Sequence, residues 1–147
     1  MVAYDSRTAL LVVDVQHDFA DAVGSLYVRG GEEIVPLVNE EVDSAVDAGA
    51  LVVYSQDWHP ESTPHFEKDG GIWPVHCVRD TWGAEFHSEL RVVDDAPVIR
   101  KGIMGEDGYS AFSVRDPRSG ESWETTLGTM LRDRMIRHVV ICGLTTD

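Results

Sequence analysis

The residues TALLVVDV, positions 8–15, constrain the fold more than any other stretch. They form an unbroken apolar run, rich in β-branched side chains, that closes on an acid. A strand with one wet face would alternate polar and apolar residues. An unbroken run reads instead as a strand buried on both faces, the kind found in parallel sheets. Three further runs read the same way: ALVVYSQD (50–57), the shorter APVIRK (96–101) and RHVVICG (137–143). Between the first two, EEIVPLVNEEVDSAVDAG places Ile34, Leu37, Val38, Val42, Ala45 and Val46 at helical spacing, with Gly49 as the stop. ESWETTLGTMLRDRMI (121–136) is expected to form a second helix, with Trp123, Leu127, Met130 and Leu131 as its apolar stripe. This alternation argues an α/β fold, a parallel sheet covered by helices, in a single domain over 1–147.

Composition narrows the function classes. A chain of 147 residues is one domain's worth and can bury a core. Its net charge of -14 repels phosphate backbones, so no nucleic-acid partner is expected. No apolar run is long enough to span a membrane, and the N-terminus lacks the pattern of a signal or transit peptide. Two cysteines, Cys77 and Cys142, make at most one bridge, so a reducing, cytoplasmic setting is the default.

The stretch 58–96 has no long periodic pattern and is rich in Gly, Pro and aromatic residues. Irregular segments of that length in a compact domain are usually functional or disordered, and its aromatics argue against disorder. Ligands of open parallel sheets bind beyond the carboxyl ends of the strands. The polar residues gather there: Asp14 is expected to close the first strand, Asp57 the second and Lys101 the third, with Thr145, Thr146 and Asp147 just past the fourth.

Asp57 and His59 are two apart, so an extended backbone points both side chains the same way. His65 and His76 lie within reach through the loop. Three imidazoles and a carboxylate suit Zn²⁺ or Fe²⁺, with Mn²⁺ a third option. The alternative is a loop whose histidines cap turns or meet solvent. Trp58 and Trp73 bracket the cluster, either as packing or as walls for a flat ligand. Asp14 is costly at the end of a buried strand unless it is paired. Lys101 is either a solvated lysine or, in one cleft with Asp14, a partner that biases the acid's pKa. An acid beside a lysine is what an adjacent thiol nucleophile needs. Neither cysteine sits at a helix N-terminus, where a thiolate is favoured, and Cys142 inside a strand reads as a small hydrophobe.

Five motifs occur in order: ALLVVDVQHDF, SQDWHPE, GIWPVHCVRDTWGAEFH, KG followed by YSAF, and VVICGLTTD. Together they resemble the nicotinamidases (pyrazinamidases) of the isochorismatase-like cysteine hydrolase superfamily, from about residue 8 onward. The resemblance implies a Rossmann-like three-layer fold with a parallel sheet and a metal-dependent hydrolysis of nicotinamide to nicotinate and ammonia, with pyrazinamide also accepted. It casts Asp14 as general base and Lys101 as its catalytic partner. Asp57, His59 and His76 become metal ligands, and His65 the further histidine some members use. Phe19, Trp73 and Tyr109 become pocket residues for the pyridine ring. Leu144–Thr145 falls where the family carries a cis peptide bond that aims the Thr145 N–H at an oxyanion. A role in NAD salvage and a homo-oligomeric state are compatible with it.

The family's nucleophilic cysteine follows two residues after the position of Asp147, where this chain stops. The chain is therefore expected to be a fragment whose intact parent is active and which is inactive by itself; a pseudo-enzyme, or an enzyme split between two chains, would end the same way. Two other functions compete: a different cysteine hydrolase of the superfamily, and a metal-binding domain without catalysis.

Overall fold

Every residue of β1, Thr8–Val13, is buried. The computed structural model describes residues 3–146 of the chain, so Asp147 lies outside the described residues. β1 pairs in parallel with β2, Leu51–Asp57, on one side and with β6, His138–Gly143, on the other. β2 in turn pairs in parallel with β3, Val98–Lys101. The order β3-β2-β1-β6 makes a four-stranded, all-parallel sheet from the four runs anticipated in the sequence.

Both faces of this sheet are covered, which is why the strands read as continuous apolar runs. Leu10, Val12, Val52 and Tyr54 point to one face and pack with Val35, Val38, Val42 and Ala45 of α2, Val35–Asp47. Ala9, Leu11, Val13, Val53 and Ile99 point to the other and pack with Leu127 and Leu131 of α3, Thr126–Asp133. The result is three layers. Each of these larger aliphatic side chains contributes on the order of 1.5–3 kcal/mol by leaving water. α2 begins with a proline in its first turn and stops at Gly49, whose φ of 71° is left-handed. A four-residue helix, α1 (His17–Ala20), follows β1, and 58–96 is irregular apart from two single 3₁₀ turns, Glu67–Asp69 and Trp82–Ala84. Among the described residues, no helix is long and apolar enough to cross a membrane.

The second helix is shorter than its sequence suggests. Residues 122–124 are not helical: Ser122–Glu124 is β5, paired antiparallel with β4, Ser113–Arg115. The turn between them is an Asp-Pro-x-x-Gly turn: the Asp116 carboxylate accepts the Arg118 and Ser119 N–H groups, and Gly120 takes a left-handed φ of 76°. α3 starts only at the cap residue Thr125, whose Oγ1 accepts the Leu127 N–H at 3.2 Å. It ends before Met135, which is left-handed at φ 55°. Trp123 therefore leaves the expected stripe and stands 48% exposed on the hairpin. Leu127→Ala is expected to destabilise the protein by about 2–5 kcal/mol. Trp123→Ala, equally costly if 121–136 were one amphipathic helix, is expected to cost less than ~1 kcal/mol. Urea denaturation of both variants checks this.

Candidate active site

The parallel topology brings three strand ends side by side. The register pairs Asp57 with Lys101 and Val13 with Ser55. β1 ends one residue before Asp14, whose φ of 51° is left-handed, a conformation aspartate tolerates better than most residues. The turn aims the carboxylate across the sheet end, where it is buried.

Lys101 organises the site. Its Nζ donates to Asp14 Oδ2 at 2.7 Å, to Asp57 Oδ1 at 2.8 Å and to the Gly108 carbonyl. All three ammonium hydrogens are thereby used. Asp14 Oδ1 accepts the Ser55 hydroxyl at 2.6 Å, and Oδ2 also accepts the Thr145 hydroxyl at 2.9 Å. Burial pushes the Asp14 carboxyl above the usual range; Lys101 pulls it back only in part, and the Asp57 charge pushes it further up. Burial also acts to raise Asp57, but Lys101, His59 and His76 outweigh it and hold that carboxyl well below the usual range. For Lys101, burial acts downward and the two carboxylates prevail, so its pKa lies above the ordinary lysine value. One cation thus serves two acids: Asp57 stays firmly ionised, while Asp14 is the one poised to hold a proton.

Asp57, His59 and His76 converge, with one ligand atom from each within 4.8 Å of the others. The Asp57 Oδ2 atom stands 3.5 Å from His59 Nε2 and 3.7 Å from His76 Nε2. Those spacings are too long for good hydrogen bonds and suit donor atoms sharing one cation. The His76 Nδ1 donates to the Pro74 carbonyl at 2.7 Å, which leaves the Nε2 lone pair facing the cluster. His59 is buried against Gly102, where an added Cβ would come within 2.4 Å of the ring. The donor set of two imidazoles and a carboxylate fits a divalent metal. His65 stands outside this set of three: its ring centroid is 6.0 Å from that of His59, and Ile72 and Trp73 hold its carbonyl in the loop. It still lines the same cleft, with Nε2 buried and without a hydrogen-bond partner, and burial lowers its pKa.

The cleft, about 440 Å³, is walled by Phe19, Trp73 and Tyr109, the three residues expected to face a ring. Trp73 Nε1 donates to Tyr109 Oη at 2.8 Å, and the Phe19 ring lies 5.7 Å from that of His76. Trp58 does not line the cleft; it packs at the edge of the core beneath the Arg100 guanidinium. Sequence reasoning missed a second wall, Leu26, Tyr27 and Val28. The signal was there, as an apolar run bracketed by Gly24 and Gly30. It also missed Ser55 and Gly108, which touch Asp14 and Lys101. The cis bond at Leu144–Thr145 is not formed, since no described peptide bond is cis. The chain turns there through a left-handed φ of 50° at Thr145, which avoids the cost of a cis bond at a non-proline residue. Leu144 packs into the core, whereas Thr145 reaches the cleft. No thiol among the described residues lines it. Burial pushes Cys77 well up, and Cys142, turned toward the α2 side of the core, is pushed up to about 11.

Residues 8–147 match the isochorismatase domain. The chain belongs to the isochorismatase family. It is 36% identical to the nicotinamidase of Escherichia coli over 95% of its own length and 70% of that protein's. It superposes on the pyrazinamidase of Pyrococcus horikoshii in complex with zinc with a TM-score of 0.82, at 39% identity, covering 94% of this chain and 70% of that one. PnC1 from L. infantum in complex with nicotinate gives a TM-score of 0.84 at 36% identity, with 97% of this chain and 70% of that chain covered.

Replacing the central cation tests the electrostatics of this family member. Lys101→Met leaves two buried carboxylates facing each other and is expected to cost about 3–5 kcal/mol at pH 7. Without the lysine, the folded-state pKa of Asp14, already above its unfolded value, rises further, and that of Asp57 rises with it. The penalty is then present above that range and shrinks as pH falls and one acid takes a proton. Urea melts at pH 7 and pH 5 check the sign: the gap to wild type should narrow at the lower pH.

Proposed function

We infer that the intact protein hydrolyses the carboxamide of nicotinamide to nicotinate and ammonia, and accepts pyrazinamide in the same cleft. The observation that carries this reading is the meeting of two devices in one aromatic-walled cleft. One is a buried acid–lysine pair, Asp14 and Lys101. The other is the Asp57, His59 and His76 donor set. Similarity to a nicotinamidase, and to structures that hold zinc and nicotinate, supports the same reaction.

The pyridine ring would lie flat between Phe19 and Trp73, with Tyr109 at the rim. Zn²⁺ or Fe²⁺, with Mn²⁺ next, held by Asp57, His59 and His76, would supply a positive centre that orients the ring nitrogen or polarises a water. His65 would stand beside that set as a further donor. Asp14, ionised by its bond to Lys101, would accept the proton of the nucleophilic thiol, which the family carries two residues beyond the position of Asp147. The thiolate would then attack the amide carbon. Thr145, already bonded to Asp14 through its hydroxyl, would border the oxyanion. Asp14 would return the proton to the leaving ammonia, and a water, deprotonated by the same carboxylate, would release the acid. Asp14 suits both steps because burial raises its pKa while Lys101 favours its ionised form. The product would feed pyridine nucleotide salvage in the cytoplasm.

The test is ammonia release from nicotinamide by the intact protein. Asp14→Asn is expected to lower kcat/KM by about 10²–10⁴-fold; an unchanged rate would remove Asp14 from the chemistry. Stripping the metal with a chelator should abolish turnover, and adding back Zn²⁺ or Fe²⁺ should restore it in the wild type but not in His59→Ala.

A further inference from the structure

Asp18 is a buried carboxylate that the proposed chemistry does not use. No lysine, arginine or histidine pairs with it among the described residues. Its partners are backbone N–H groups from two separate segments: Oδ1 accepts from Ser25 at 3.0 Å and Oδ2 from Cys77 at 2.7 Å. A third segment closes on it at Gly83, where a Cβ would stand 2.1 Å from Oδ2. A carboxylate buried for packing alone is a poor choice, since the charge must be satisfied. A carboxylate that fixes backbone gains strength from its charge.

The backbone it fixes is that of the metal ligands. Cys77 directly follows His76, and its carbonyl accepts the His59 N–H at 2.9 Å. One residue therefore links the two imidazoles of the donor set. Cys77 is also left-handed, at φ 45°, a conformation a cysteine keeps only when its surroundings impose it. The Asp18 bond to its N–H is such a constraint. The other oxygen holds Ser25, at the head of the Leu26–Tyr27–Val28 wall, and the Asp18 carbonyl accepts the Leu26 N–H at 3.1 Å.

We propose that Asp18 is a positioning residue that, through the Cys77 peptide, sets His59 and His76 for metal binding and ties that setting to the 25–28 wall. The inference rests on the metal reading of the Asp57, His59 and His76 set.

The test is the Zn²⁺ affinity of the intact protein, measured by competition with a chromophoric chelator. Asp18→Asn puts an amide N–H₂ against a backbone N–H and is expected to weaken Zn²⁺ binding about 10–100-fold. Asp21→Asn, at the C-cap of the same short helix and bonded to His17, is the control and should leave it unchanged. In a His76→Ala background the Asp18→Asn effect should shrink, because the positioning residue has lost one of the two ligands it positions and keeps only His59. An unchanged affinity for Asp18→Asn, or an equal loss in both backgrounds, overturns the proposal. If Asp18→Asn does not fold, amide NMR of the wild type decides: Zn²⁺ should shift the Cys77 and Ser25 N–H resonances together, and a Ser25 signal that stays still overturns it. A wild type that binds no Zn²⁺ would be a distinct result, sinking the metal reading and this inference with it.

Discussion

The lysine at the end of β3 is the interaction on which the site depends. Two carboxylates at the tips of neighbouring strands, Asp14 and Asp57, would repel each other in a dry cleft; Lys101 holds them together with 2.7 and 2.8 Å bonds. The sum is still one negative charge, and it is not shared evenly. Asp57 faces two imidazoles as well as the lysine, so it remains an anion suited to a metal. Asp14 has only the lysine and two hydroxyls, so it is the group whose proton can come and go. A divalent cation beside Asp57 would reverse the sign of the cluster and further favour the ionised form of Asp14. The proposed metal ligation and base strength would thus be coupled through one ammonium group.

That lysine is in place only because the sheet is parallel. Strands of one direction bring all their carboxyl ends to one edge. The order β3-β2-β1 then sets Lys101, Asp57 and Asp14 in a row. The continuous apolar runs that specify two-sided burial therefore also specify where charge can collect. This is why the four strands, α2 and the residues at the strand tips were legible before any coordinates. The hairpin was not. Its strands are three residues each and largely exposed, so SVR and SWE carry no period, and the apolar Trp123 mimics a helical position. The readable clue was local: Asp-Pro-x-x-Gly for the turn and a threonine cap ahead of Leu127. His65 and the Leu144–Thr145 bond illustrate a different limit. The bond's expected geometry rests on resemblance alone, and the His65 role on loop proximity and resemblance together; neither fixes the last few ångströms.

The irregular stretch 58–96 raises a separate question, since buried backbone without sheet or helix must find partners elsewhere. Side chains supply many of them. The buried Gln16 donates from Nε2 to the Asp57 and Ala84 carbonyls and accepts the Asp57 N–H at Oε1, so it replaces a neighbouring strand at the end of β2. Gln56 Nε2 donates to the same Ala84 carbonyl. Isolated bridges at Gln16–Phe86, His59–Val78 and Phe66–Trp73 add backbone partners. The segment is ordered by cross-links to fixed elements and within itself, with only two short 3₁₀ turns as regular structure.

This division of labour explains why the proposed imidazole ligands come from such a segment at all. A strand presents side chains only every second residue, in directions set by the pleat. Asp57 obeys that rule as the last residue of β2. His76 meets it from the irregular segment, outside any strand. A left-handed Cys77 provides the change of direction, and the Asp18 and His59 bonds on either side of its peptide make it rigid. Precision in the donor set is therefore a property of polar groups buried behind it as much as of the imidazoles themselves, and those groups belong to the β1–α1 segment that also carries Asp14.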